Sequence, residues 1–151
     1  TALGDFYGHL LAAEAMTNDA LWPYPNMDIV AVAGVLVDGH GQRFVDESRG
    51  GVYLSNAVAK LGDPLSATVI MSREIWDQVG TSGIAPPNPL LLDHGGTLIE
   101  APDLAALAAA IGHADKVDWV FGILRSLATN EPEVYAREST THPVEDRFSK
   151  V

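Results

Sequence analysis

The sequence predicts an α+β domain, and three observations carry that prediction. Strand-like and helix-like segments are mixed without the regular βαβ rhythm of a parallel sheet. Hydrophobic residues make up 47% of the 151, enough to bury a core in one domain. Aromatic residues are only 7%, so that core should be aliphatic.

Each element follows from its local pattern. Thr1 to Met16 is weakly helical, with Leu10, Leu11 and Ala15 able to share a face. Asn18 to Asn26 is irregular, because Trp22-Pro23-Tyr24-Pro25 restricts the backbone and favours extended geometry. Asp28 to Asp38 is β-branched and continuous; it predicts a strand buried on both faces, with Gly34 as a bulge position. Asp38-Gly39-His40-Gly41-Gln42 supplies turn chemistry, and Arg43 to Asp46 resumes as a second strand, which together predict a β-hairpin. Leu54, Ala57, Val58 and Leu61 recur at helical spacing, with Gly62 as the stop. Ala67 to Met71 reads as a short strand, and Ile75, Trp76 and Val79 as one or two helical turns ended by Gly80. Thr81 to Gly96 is rich in proline and glycine and predicts mostly loop. Leu98-Ile99 is extended. Pro102 then opens a helix with Leu104, Leu107, Ala108 and Ile111 on one face. Asp115 to Asp118 resembles an acidic cap for another helix carrying Val117, Val120, Phe121 and Leu124. Beyond Asn130 the polar tail is expected to fold only against something else. With no internal repeat, low-complexity tract or internal boundary, residues 1–151 read as a single domain.

Nine Lys+Arg against 20 Asp+Glu give a formal charge of -11. Such a surface repels nucleic-acid phosphates and anionic lipid headgroups, so neither nucleic acid nor membrane is an expected partner. Cysteine is absent, which excludes disulfides, thiolate zinc sites, iron–sulfur ligation and thiol catalysis within this chain. The apolar or glycine run Ile29 to Val37, which no other run exceeds, is far short of a membrane span. No signal-peptide pattern opens the chain, and the expected compartment is cytoplasmic. The chain starts at Thr1, without an initiator methionine and already inside apolar sequence, as expected of a piece of a longer protein.

Self-contained catalytic machinery is hard to find. Ser82 and Ser126 lack the flanking glycines of a nucleophile elbow. His9, His40, His94, His113 and His142 are scattered, none paired at helical i, i+4 spacing, so no metal site is expected. Asp46 and Glu47 are adjacent and in a strand would point to opposite faces. Gly39-His40-Gly41 is a fragment of a dinucleotide signature in a turn setting, so no cofactor-binding residue is assigned.

One continuous block stands out. Ala33-Gly34-Val35-Leu36-Val37-Asp38-Gly39-His40-Gly41-Gln42-Arg43-Phe44-Val45-Asp46-Glu47 resembles the "G-I-L-V-N-x-x-G-x-R-F-V-N/D-E" hairpin in the capping domain of the fumarate reductase/succinate dehydrogenase flavoprotein family. The segment Ala101 to Asn130 is similar to that family's "D-T-L-x-x-L-A-x-x-x-G-I-D" helix and the helix after it. The resemblance is strongest from 33 to 58 and weak after 130. It implies a substrate-capping fragment of an FAD-dependent oxidoreductase, inactive in isolation. FAD would sit in the parent protein's separate flavin-binding domain, with none bound by this fragment. The partners implied are that domain, on the same polypeptide, and a small-molecule substrate. In fumarate reductases an arginine four residues after the hairpin glutamate donates the proton, and that position falls on Gly51. The family's glutamate and arginine relay falls on Met27 and Val30. A branch with another substrate, such as the ketosteroid dehydrogenases with their tyrosine, is therefore implied. The candidate catalytic residues are Arg49, as an anion clamp, and Tyr53. Tyr7 and His9 lie in a segment resembling the substrate-facing side, and Arg43 and Glu47 are assigned to fixing the hairpin. The alternative from another class is a free-standing small-molecule or protein-binding module without redox activity.

Overall fold

A computed structural model describes residues 4–112; the helix predicted from Asp115 and the polar tail lie outside them. The described residues fall into two compact units, one ending at Leu98 and the other beginning at Ile99. In the first, 3-10 turns at Ala13–Met16 and Asp19–Leu21 precede helix α1 (Asp28–Ala33) and strand β1 (Val35–Val37). A 3-10 turn at Glu47–Arg49 leads into helix α2 (Gly51–Ala59), and another at Pro64–Ser66 into strand β2 (Thr68–Ile70). A π-helical turn at Ile75–Val79 and helix α3 (Pro87–Asp93) complete it. The second unit contributes helix α4 (Leu104–Ala110). Helices beside a two-stranded antiparallel sheet make the architecture α+β, as the sequence predicts.

The predicted strand over Asp28 to Asp38 divides in two: its first half is α1 and only Val35–Val37 is extended. Packing overrides the β-branched composition. On the helix, Val30 enters one buried cluster with Leu21, Trp76 and Leu91, while Ala31 enters a second with Leu36, Val45 and Leu54. Val32 and Ala33 stay at the surface, which a strand buried on both faces would not allow. At Gly34 the chain passes into β1. A Cβ there would lie 2.7 Å from the Ile70 carbonyl oxygen and 3.0 Å from that of Val30, so the backbones can approach only because the residue is glycine.

The turn of the predicted hairpin is present, but its second strand is not. The Asp38 amide donates to the Gln42 carbonyl at 2.9 Å, and the Asp38 side chain accepts from His40 and Gln42 amides. After that, Arg43 makes a single bridge to Val37. Strand β1 pairs instead with β2, in the register Val35↔Ile70, Leu36↔Val69 and Val37↔Thr68. The physical reason lies in Glu47, whose Oε1 accepts the Leu36 amide at 2.8 Å. A side chain takes the place of the strand that would have bonded there.

Helix α2 carries the predicted stripe, with Leu54 buried and Ala57 and Val58 packed against the second cluster. It starts earlier than the stripe, at Gly51, and ends at Ala59, before Gly62. The turn after Ile75 is wider than an α-turn: the Gly80 amide donates to the Ile75 carbonyl at 2.9 Å, and a Cβ on Gly80 would overlap the Trp76 carbonyl. The loop predicted over Thr81 to Gly96 is interrupted by α3. Its prolines lie at the helix start, where a missing N–H costs nothing. Gly95, at φ 83°, closes it, with the Gly96 amide reaching the Leu91 carbonyl at 2.7 Å; this is a Schellman stop. Of the weak helix expected over Thr1 to Met16, only the turn Ala13–Met16 forms among the described residues. The helix predicted from Pro102 is present as α4 but begins two residues later, at Leu104, and ends at Ala110, one residue before Ile111; the Asp103 carboxylate accepts the Ala106 amide at 2.8 Å at its start.

Candidate functional site

Two side chains on α2 tie down the segment that carries Tyr7 and His9. Asn56 Oδ1 accepts the Phe6 amide at 2.9 Å, and Asn56 Nδ2 donates to the Phe6 carbonyl at 2.7 Å. The Ser55 hydroxyl donates to the Gly8 carbonyl at 3.0 Å. Both Ser55 and Asn56 are buried, so these hydrogen bonds are shielded from competing water. Lys60 also pairs with Asp5 at 2.8 Å, but both side chains are well exposed and the pair adds little.

Segment 6–10 thereby delivers His9 to Asp28. His9 Nδ1 lies 2.6 Å from Asp28 Oδ2, while Asp28 Oδ1 accepts the Leu10 amide at 2.8 Å. The Met27 amide donates back to the Leu10 carbonyl at 2.9 Å. Asp28 sits in the first turn of α1, where a negative charge is favoured, and its own amide donates to Asn26 Oδ1. The carboxylate also rests against Gly51, where any Cβ would collide with it. An arginine at position 51, as in fumarate reductases, has no room in this arrangement. The Tyr7 ring meets the His9 ring edge-on, 5.3 Å between centroids at 84°, and is otherwise largely exposed.

Arg49 and Tyr53 lie two residues to either side of Gly51 along the chain. The Arg49 guanidinium lies 3.8 Å over the centre of the Tyr53 ring, a stacked geometry that leaves the donor edge of the guanidinium for a planar anion. Gly50, at φ 87°, makes the bend that lets Arg49 fold back on the helix it precedes. The turn before it is capped by Asp46, whose Oδ1 accepts the Ser48 amide at 3.1 Å and the Ser48 hydroxyl at 2.7 Å. Below the surface, Arg43 binds Glu47 in a fork: Nε reaches Oε1 and Oε2 at 3.2 and 3.1 Å, and the Arg43 Nη2 group meets Oε2. Arg43 and Glu47 are thus structural, though they brace β1 directly and not a second hairpin strand.

All four candidate residues therefore gather around the start of α2: Arg49 and Tyr53 flank Gly51, and His9 with its neighbour Tyr7 reaches it through Asp28. Sequence reasoning missed Asp28, Ser55 and Asn56. The signal for Asp28 was an Asn-x-Asp sequence opening a helix, a cap pattern, hidden by the β-branched run behind it. For Ser55 and Asn56, polar residues adjoining an apolar stripe were the only trace.

Among the described residues no group of three His, Cys, Asp or Glu side chains could hold a metal ion, and no helix is long and apolar enough to cross a membrane. The glycines at 39 and 41 serve the turn closed by Asp38. Away from this region, burial alone would raise the carboxyl of Glu14. Hydrogen bonds from the Thr97 side chain and from the Glu14 and Thr97 amides outweigh it and hold the group below the ordinary glutamate value. Comparison with protein-family profiles, with curated proteins and with solved structures finds no match to this chain.

Proposed function

We propose that the chain is the substrate-capping domain of an FAD-dependent oxidoreductase of the fumarate reductase/succinate dehydrogenase type. It closes over flavin and substrate while a hydride passes to or from a C–C bond next to a carbonyl or carboxylate. FAD belongs to a flavin-binding domain on the same polypeptide, and supplies the hydride chemistry when bound there. The observation that carries this reading is the use the fold makes of the Arg43-Phe44-Val45-Asp46-Glu47 block. Its buried members brace β1, and its Asp46 caps the turn that leads through Arg49 into α2, the helix that carries Tyr53 and whose Ser55 and Asn56 tie down the His9 segment. A lid needs such a corner: polar groups aimed outward, fixed from beneath, with the cofactor held elsewhere. In this role Arg49 clamps the substrate's carboxylate or carbonyl oxygen and Tyr53 flattens and orients the guanidinium.

The test is to express the complete gene and record a visible spectrum. Paired flavin absorption bands are expected, and a colourless protein overturns the proposal. A second reading, a binding module without redox activity, is favoured by aromatic side chains left at the surface: Tyr7, Trp22 and Tyr24 are 82%, 67% and 53% exposed. A colourless product that retains a small-molecule or protein ligand would establish it instead.

A further inference from the structure

We propose that His9 is a proton-transferring residue, held in one tautomer by Asp28 as its positioning residue. An ionised carboxylate can only accept hydrogen bonds. The 2.6 Å contact from His9 Nδ1 to Asp28 Oδ2 therefore places the proton of the neutral ring on Nδ1, and the lone pair on Nε2. The His9 side chain is 43% exposed, and no hydrogen bond among the described residues occupies Nε2, so the basic nitrogen is left for a ligand. An ordinary surface ion pair would leave its carboxylate free to wander. Asp28 is not free: its side chain is 16% exposed, both oxygens are engaged, and its amide is fixed by Asn26. Gly51 supplies the space the carboxylate fills. Tyr7, set edge-on to the ring, limits its rotation.

The chemistry rests on the capping-domain reading. Nε2 takes a proton from a C–H bond acidified by an adjacent carbonyl or carboxylate. The electron pair of that bond becomes the new C=C π bond as the neighbouring carbon loses hydride to an oxidant of the flavin class. The substrate would be oxidised by two electrons, which a flavin bound in the parent protein would accept, and the imidazolium charge is matched by Asp28. In the reverse direction the imidazolium returns the proton to carbon.

Two experiments test this. Nitrogen-15 NMR of the full 151-residue chain should show neutral His9 with its proton on Nδ1, and Asp28→Asn should convert it to a mixture of tautomers. A neutral ring protonated on Nε2, or a spectrum unmoved by Asp28→Asn, overturns the assignment. In the coloured parent protein, flavin reoxidation by fumarate and by cyclohexenone provides the second readout. His9→Gln should slow reoxidation by the better oxidant roughly a hundred- to ten-thousandfold, with half-saturation little changed. Asp28→Asn should slow it at least about tenfold, and added imidazole should restore part of the rate to His9→Ala. Unchanged rates in His9→Gln, no rescue, or no reoxidation of the native protein by either probe overturns the proton-transfer role. A colourless parent sinks the capping-domain reading, whereas a wrong tautomer sinks only the dyad.

Discussion

Glu47 is only 3% exposed, so its charge must be answered from within the protein. The Arg43 fork and the Leu36 amide do so. Removing one partner of a buried pair leaves the other uncompensated. Arg43→Met should therefore cost about 3–5 kcal/mol in urea unfolding. The double variant Arg43→Met, Glu47→Leu should cost less than the single one, and equal losses would contradict the pairing. Glu14 gives a pH dependence whose sign follows from its lowered folded-state value. The unfolded state binds the proton more readily, so this contribution is fully present above the ordinary glutamate value and is lost as pH falls through the folded value. Thr97→Val should flatten the fall in stability below about pH 5; urea midpoints at neutral and acid pH measure it. The group is partly solvated, which keeps the effect small.

At the scale of elements, legibility followed how local each cause was. Helix α4, the strand β2 and the turn at Asp38 were readable because apolar helical spacing, a short apolar run and turn chemistry lie within a few residues. Helix α1 was not, since its helical form depends on Leu21, Trp76 and Leu91 meeting Val30 and on Leu54 meeting Ala31. The hairpin's second strand failed to form for a similar reason: Glu47, a side chain, occupies the amide that a hairpin partner would have used. Gly34 joins α1 to β1 and lies tight against the β2 backbone at Ile70. Gly34→Ala must push the Ile70 backbone away and should cost about 1–3 kcal/mol by thermal or chemical unfolding. A neutral outcome would mean that the sheet edge yields freely.

At the scale of the molecule, α1 acts as a wall between two separate cores, one of them built partly on the Trp76 ring, since among the described residues no buried side chain belongs to both. Leu54→Ala in one and Leu91→Ala in the other should each cost about 2–5 kcal/mol. Their losses should add within about 0.5 kcal/mol in the double variant, and strong coupling in urea unfolding would show that α1 transmits strain across. The candidate site was half legible at this scale. Arg49 and Tyr53 lie close in sequence, and Tyr7 and His9 do too, but nothing local says that the two pairs share Asp28 and Gly51 as neighbours.

Asn56 grips residue 6 by its peptide group alone, imitating the main chain of a missing neighbour strand. Any side chain is thus compatible with that grip except one that deletes the amide hydrogen. Phe6→Ser should leave His9 docked, whereas Phe6→Pro should release it, visible as faster amide hydrogen exchange at Leu10. Sequence drift at position 6 is then nearly free for this protein, while position 56 is confined to a single amide of that length.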